Sequence, residues 1–345
     1  MEHFLSIRLG RQSLLSLLVP RRAIMAAVTL LLATLTVAVF STGLGEIRIS
    51  AIDVVKVLVG SGSEEDSLII QTFRLPRVIT GLLVGAALGA AGALMQGVVR
   101  NPLASPDILG VTGGASVAAV AFLTMLESAS IQWLPLVAFL GAAMVSVVLY
   151  GLAWKQGVTP LRLVLIGIGV KGATAALTTM LIVMAPIHLT SKAMIWLTGT
   201  LYGTTWTDVG LLLPWVAVLL VLGFVTARQM NALQLGDHVA AGIGSSVQQQ
   251  QLLLMLICVG LTGSAVAIGG AIGFVALLAP HIARQLVGPS FESLLPISAM
   301  VGAFIVTGAD MIARIAFSPL DIPVGAVTSA VGAPFFLYLL YKNRS

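Results

Sequence analysis

Uncharged runs separated by short polar connectors fill nearly the whole chain. They cover residues 23–45, 78–99, 108–126, 128–154, 163–191, 209–227, 239–283, 293–309 and 322–341, the fifth interrupted by Lys171. Most match the roughly 20 apolar residues that a helix needs to cross a bilayer. Residues 239–283 are long enough for two such helices. Ala267-Ile268-Gly269-Gly270-Ala271 supplies the reversal between them, because glycine accepts backbone conformations that other residues avoid. The pattern predicts an all-α membrane protein of about ten transmembrane helices. Residues 23–342 form one transmembrane domain, preceded by a cytoplasmic segment, 1–22. The longest connector, 46–73, reads as a short amphipathic piece followed by the polar turn Gly60-Ser61-Gly62-Ser63. Next in length is a polar loop at about 229–250. No connector is long enough for a separate domain, so function resides in the bundle and in these two loops.

Composition agrees with a lipid solvent. Of 345 residues 58% are hydrophobic and 9% charged, whereas a soluble domain carries about 25% charged residues to cover its surface. Run 23–45 follows Arg8, Arg11, Arg21 and Arg22, as the core of a signal peptide would. It exceeds the 7–15 residues typical of such a core and no A-x-A site closes it, so it reads as the first transmembrane helix. The net charge of +5 is scattered between apolar runs, a distribution that suits membrane orientation rather than nucleic acid. With the N-terminus inside, both termini are cytoplasmic. Arg8, Arg11, Arg21, Arg22, Arg100, Lys155, Arg162, Arg228, Arg284, Lys342 and Arg344 then lie inside, and Arg48, Lys56, Arg74, Arg77, Lys192 and Arg314 outside. The excess on the inner side follows the positive-inside rule. A lone cysteine, Cys258, excludes an intramolecular disulfide and reads as a small buried hydrophobe.

Four polar motifs interrupt the apolar pattern. Arg74-Leu75-Pro76-Arg77 precedes a Gly-rich helix ending in Gly92-Ala93-Leu94-Met95-Gln96. Arg100-Asn101-Pro102-Leu103-Ala104-Ser105-Pro106-Asp107-Ile108-Leu109-Gly110 follows, and its two prolines disfavour a continuous helix. Such a broken segment is either a tight turn between helices or a polar element inside protein or beside water. Asn231 to Gly244 reads as two short helices, with Leu235-Gly236-Asp237 stopping the first and Asp237 capping the second. The pair would form a knob suited to a groove on a partner protein, or else a solvated loop. In Gly273 to Arg284, His281 stands apart from any ligand-spaced cluster and reads as a structural hydrogen-bonding residue. Asp310 and Arg314 are spaced for an intrahelical pair, ahead of Ser318-Pro319-Leu320-Asp321-Ile322-Pro323-Val324-Gly325. Gly85–Gly89 before Arg100 and Gly269–Gly273 before Arg284 also echo each other, each as a Gly-rich helix followed by a turn. Five helices apart, they would run in opposite directions, the arrangement of an inverted repeat.

In this order the motifs resemble the permease family of ATP-binding-cassette importers for iron siderophores, haem and cobalamin, over residues from about 25 to 342. The resemblance implies a type II importer permease fold with inverted-repeat character in the bacterial inner membrane. It also implies a second permease subunit (identical or homologous), two cytosolic ATP-binding subunits and a periplasmic substrate-binding protein. The loop carrying Leu233, Leu235, Gly236, Asp237, Ala240, Gly242 and Gly244 matches the family's ATPase-coupling segment. Arg74, Arg77 and Arg314 match arginines that pair with glutamates of the binding protein. Gly157 and Thr159, in Gln156-Gly157-Val158-Thr159-Pro160, match the cytoplasmic gate, and Met95, Gln96 and Asn101 are further candidates for the translocation path.

No G-x-x-x-x-G-K-[ST] pattern occurs, so ATP and Mg are used by a partner and this chain is a transport subunit without a cofactor or metal of its own. An ion-driven transporter is the rival class. It usually needs acidic groups at membrane depth, and none falls mid-span in the predicted topology, Asp310 lying near an end. A membrane scaffold or respiratory subunit would have no use for the coupling loop. Lys171 is the charge left inside the membrane, about 16 Å deep at 1.5 Å per residue. It either lines the path and favours an anionic cargo or pairs with helix carbonyls. Ferric siderophore is the expected cargo, with cobalamin or haem as alternatives.

Overall fold

The structure is a computed structural model that describes residues 4–8, 16–45, 47–126, 128–154, 159–316 and 321–342. A short antiparallel hairpin, β1 (Phe4–Arg8) with β2 (Ser16–Pro20), precedes the helices. The membrane part follows the predicted runs: α1 (Arg21–Gly43), α4 (Leu75–Val99), α5 (Val111–Met125), α6 (Leu134–Ala153), α7 (Pro160–Met184), α9 (Trp206–Val225), α12 (Val247–Gly269), α13 (Val275–Val287), α14 (Phe291–Ala316) and α15 (Val324–Lys342). Between them lie the short helices α2 (Ala51–Leu58), α3 (Glu64–Leu68), α8 (Ile187–Leu197), α10 (Ala227–Gln234) and α11 (Asp237–Gly242). The 46–73 connector holds amphipathic α2 as expected, and a π-helical stretch, Ile69–Arg74, joins α3 to α4 without a break.

The bundle is built around α4, whose central residues Ala87 to Met95 are almost all without solvent contact. Small residues let α14 approach it closely. A β-carbon at Gly85 would stand 2.3 Å from the Gly302 carbonyl oxygen, and one at Gly302 would stand 2.1 Å from that of Gly85. Neither position tolerates a side chain, and the backbones touch as in other lipid-embedded helix pairs.

Two ends of the bundle can be told apart. At one, Gly43 of α1, Arg77 of α4, Trp206 of α9 and Arg314 of α14 converge. At the other, the end of α4 meets α10, α11 and the start of α14: Gln234 donates to the Gly97 carbonyl at 3.0 Å, and Phe291 N donates to Asn231 Oδ1 at 2.9 Å. They are called here the Arg77 end and the Asp237 end.

Three predicted features differ in the structure. Run 108–126 is not a full span, and neither is the second helix of run 239–283, α13, which has 13 residues. Helix α5 has 15 residues, about 22 Å at 1.5 Å per residue, against a hydrocarbon core of about 30 Å. The chain leaves α4 at Arg100, turns back into the bundle through a 3-10 turn at Pro106–Leu109, and begins α5 at mid-depth. The Gly-rich echo does not survive either. Gly85–Gly89 lies inside the unbroken α4, whereas Gly269–Gly273 is the turn between α12 and α13, with Gly270 at φ 68°. The reversal itself falls where the sequence put it. Finally, Gly236 rather than Asp237 precedes α11 at its N-cap. Its φ of 101° is closed to a side chain, and Asp237 is left free to bond elsewhere.

Candidate functional site

The shortened α5 brings polar groups to the centre of the bundle. Ser105, Asp107 and Thr112 share a cavity of about 30 Å³ with Leu88, at the middle of α4, and with Phe274, Ala276 and Leu277 at the start of α13. Asp107 is therefore a mid-depth carboxylate, about 16 Å from the Asp237 end of α4. This corrects the expectation that no acidic group lies mid-span. Of the two readings of Arg100 to Gly110, a tight turn or a polar element inside protein, the packing of Gly110 against Val145 and Val170 supports the second. The Thr112 hydroxyl donates to Asp107 Oδ1, and Ala276 and Leu277 in the first turn of α13 line the same small cavity.

On its other side Asp107 opens on a cavity of about 400 Å³ between α5 and α7, which also holds Lys171, Ser116, Thr174 and Thr178. Lys171 is exposed in the single chain. No hydrogen bond or ion pair engages its ammonium among the described residues, so the expected alternative of a carbonyl-paired lysine finds no partner there. Helix α7 buries little of itself against the rest of the chain, although it is long and apolar enough to cross a membrane. A lysine at that depth cannot face lipid cheaply. Its face is therefore covered by water or by another polypeptide.

At the Arg77 end the candidate docking arginines point inward. Arg74 donates from Nη1 to the carbonyls of Thr42 at 2.9 Å and Gly43 at 3.0 Å, tying α1 to α4. Arg77 is buried and holds two carboxylates, Asp310 at 2.9 Å and Asp321 at 3.0 Å, under the ring of Tyr202. Arg314 meets Asp310 at 3.4 Å and donates to the Ser41 carbonyl at 2.7 Å. The expected Asp310–Arg314 intrahelical pair exists, but it is one edge of a network that joins α1, α4, α14 and the segment just before α15.

At the Asp237 end α10 and α11 form the expected pair of short helices. Leu233 and Ala240 are buried and anchor the knob, while Leu235, Val239 and Ile243 stand exposed on it, between 51% and 64% of their surface free. Gly236, Gly242 and Gly244 face open space. Asp237 pairs with Arg100, and Arg228 meets Glu292 at 3.0 Å, so ion pairs join the knob to the ends of α4 and α14, beside the buried contacts of Leu233 and Ala240. Val239 and Ile243 were not singled out from sequence, although two apolar residues beside glycines in a polar loop were the available signal.

The remaining candidates are dispersed. Met95 is fully enclosed in the core, and Gln96 bridges α4 to α13, accepting from Arg284 at 3.2 Å. Asn101 closes a local turn at the Asp237 end by accepting from Leu103 N at 2.9 Å. Thr159 is exposed at the start of α7, and Gly157 lies outside the described residues, as do residues 317–320. His281 contacts Gln285 at 2.9 Å, one turn on, and no group of three or more metal-ligating side chains occurs among the described residues.

The FecCD transport family profile matches residues 30–342. A siderophore transport system permease protein of Bacillus subtilis is 46% identical over 94% of this chain and 96% of its own length. An achromobactin transport system permease protein of Dickeya dadantii is 44% identical over 100% of this chain and 98% of its own. Among solved structures, an inward-facing metal-chelate type ABC transporter superposes with a TM-score of 0.84 at 29% identity, covering 92% of this chain and 99% of that one.

Proposed function

The chain belongs to the FecCD transport family, and on that premise we propose that it is the membrane-spanning permease subunit of an ATP-driven importer for ferric siderophore complexes. The Asp237 end faces the cytoplasm of a bacterial inner membrane and the Arg77 end faces outward. One observation carries the proposal beyond kinship: an unpartnered Lys171 at mid-depth on a helix left uncovered by its own chain. A charge so placed requires a wet path closed by a second permease subunit, identical or homologous.

Two ATP-binding subunits seat the exposed apolar knob of Leu235, Val239 and Ile243. Because Arg100–Asp237 and Arg228–Glu292 fasten the knob to α4 and α14, its displacement moves the helices that carry the mid-membrane turn and the outer network. A periplasmic binding protein docks at the Arg77 end. Its glutamates engage Arg74, Arg77 and Arg314 by charge-assisted hydrogen bonds, and Asp321, 35% exposed, is the carboxylate most readily exchanged. ATP and Mg stay with the ATPase, so this subunit moves cargo and catalyses nothing.

The mid-depth Asp107 removes the simplest objection to an ion-driven transporter, and the family assignment decides against that class. The test is uptake into proteoliposomes holding the chain with its ATPase, partner permease and binding protein. Radiolabelled ferric siderophores, haem and cobalamin are offered in turn. ATP-dependent accumulation of a ferric siderophore, abolished when the Walker lysine of the ATPase is replaced, is the expected result. Accumulation of haem or cobalamin alone overturns the cargo, and uptake driven by an ion gradient without ATP overturns the class.

A further inference from the structure

We propose that the α5–α7 cavity is a binding station for an anionic ferric chelate, with Lys171 as its specificity-determining group; this rests on the importer reading above. The inference comes from counting donors. The Thr174 hydroxyl donates to the Val170 carbonyl at 2.9 Å and that of Thr178 to the Thr174 carbonyl at 2.9 Å. The Thr112 hydroxyl proton is committed to Asp107. These three line the cavity with their protons spent, so they can accept from water or from amide and hydroxyl groups of a cargo but offer nothing to a carboxylate or catecholate oxygen. The Ser116 hydroxyl on the same wall adds a neutral donor, and Lys171 the charged one.

The charges of the cavity are likewise unequal. Asp107 accepts from the Thr112 hydroxyl and stands just ahead of the N-terminus of α5, whose positive end offsets part of its charge. Lys171 makes no ion pair among the described residues, although Asp107 lines the same cavity, and it brings three N–H donors on a flexible stem. The cavity therefore presents one positive donor on a wall of mostly accepting hydroxyls. It fits a complex whose surface bears unshared negative oxygens, and it gives a neutral complex no comparable anchor. Away from bulk water such a charge-assisted contact is stronger than the same contact at a surface.

The experiment compares wild type, Lys171→Met and Lys171→Arg in the assembled importer, each checked for unchanged thermal unfolding. The probes are radioiron in two forms, ferric dicitrate, which is anionic, and a ferric trihydroxamate, whose three ligand charges cancel those of iron. Uptake of ferric dicitrate is expected to fall about tenfold in Lys171→Met, equivalent to about 1.4 kcal/mol, and to remain within about twofold of wild type in Lys171→Arg. Uptake of the trihydroxamate, if it is carried, should change less than twofold. Where only the anionic complex is carried, retention by Lys171→Arg decides. Equal losses for both complexes, no loss for either, or a wild type that carries only the neutral complex would each overturn the assignment. Transport of haem or cobalamin and of neither ferric complex, by an assembly whose ATPase is active, overturns the importer's cargo and this inference with it.

Discussion

Replacing Asp310 by asparagine isolates the energetics of the Arg77 end, because the substitution keeps the shape and removes one charge. Asp310 is 2% exposed and lies between Arg77 at 2.9 Å and Arg314 at 3.4 Å. At an effective dielectric of about 20, each unit pair at such separations is worth about 4 kcal/mol before desolvation is counted. Removing one partner of a buried pair costs about 3–5 kcal/mol, since the other charge stays buried without compensation. Arg77 retains Asp321, but Arg314 loses its nearest carboxylate. Asp310→Asn should therefore cost about 3 kcal/mol. Asp321→Asn, at a site one-third exposed, should cost no more than about 1 kcal/mol. Adding Arg314→Met to Asp310→Asn removes the stranded cation and should recover a substantial part of the loss, a non-additivity that only direct coupling produces. Thermal unfolding in detergent, followed by tryptophan fluorescence, gives the ranking. The reasoning is refuted if Asp310→Asn melts within 1 °C of wild type, or if Asp321→Asn proves the costlier change. The result also sets the controls for docking, because an Arg77→Ala variant would lose both the clamp and any glutamate bound to it.

Other expectations follow from single contacts. Leu235→Asp with Ile243→Asp should abolish co-purification with the ATPase while leaving the unfolding midpoint unchanged, since both side chains are more than half exposed. Gly85→Leu should destabilise by about 3 kcal/mol or prevent folding, because its β-carbon meets the Gly302 carbonyl at 2.3 Å. Gly151→Ala, with nothing within 4 Å, is the neutral control in the same melting assay. Cys258 is fully enclosed, with its Sγ 3.4 Å from the Ala91 carbonyl oxygen, and should take up maleimide only after denaturation.

Hydropathy made the spans legible because an uncharged run of some 20 residues has few other uses. The same signal exposed Lys171, which interrupts such a run and so carries its depth with it. Asp107 lines the same cavity, but the polar composition of Arg100 to Gly110 and its prolines at Pro102 and Pro106 leave open both a tight turn between helices and a polar element inside protein, and the structure takes the second. The information that lifts it to mid-depth is held by other helices, in the packing of Gly110 on Val145 and Val170 and of Gly167 on the Ile108 carbonyl. Hydropathy thus reports depth for a charge inside an apolar run and gives none for a charge between two runs. The Arg77–Asp310–Asp321 network shows the same limit at longer range, because residues more than 230 positions apart leave no local pattern. At Gly236 the failure was one of backbone rather than distance: Asp237 satisfied the composition of a cap, but the φ of 101° that turns the chain belongs to the glycine before it. Asp237, released from capping, reaches Arg100 at the end of α4. The helix that the coupling knob holds is thus the one that leads directly into the mid-membrane turn and Asp107. A displacement at Leu235 and Ile243 would reach the wall opposite Lys171 through the Asp237–Arg100 ion pair and the few residues that follow Arg100. On the proposed function, the short segment Gly97 to Gly110 is then what would carry a movement of the knob to the cargo cavity.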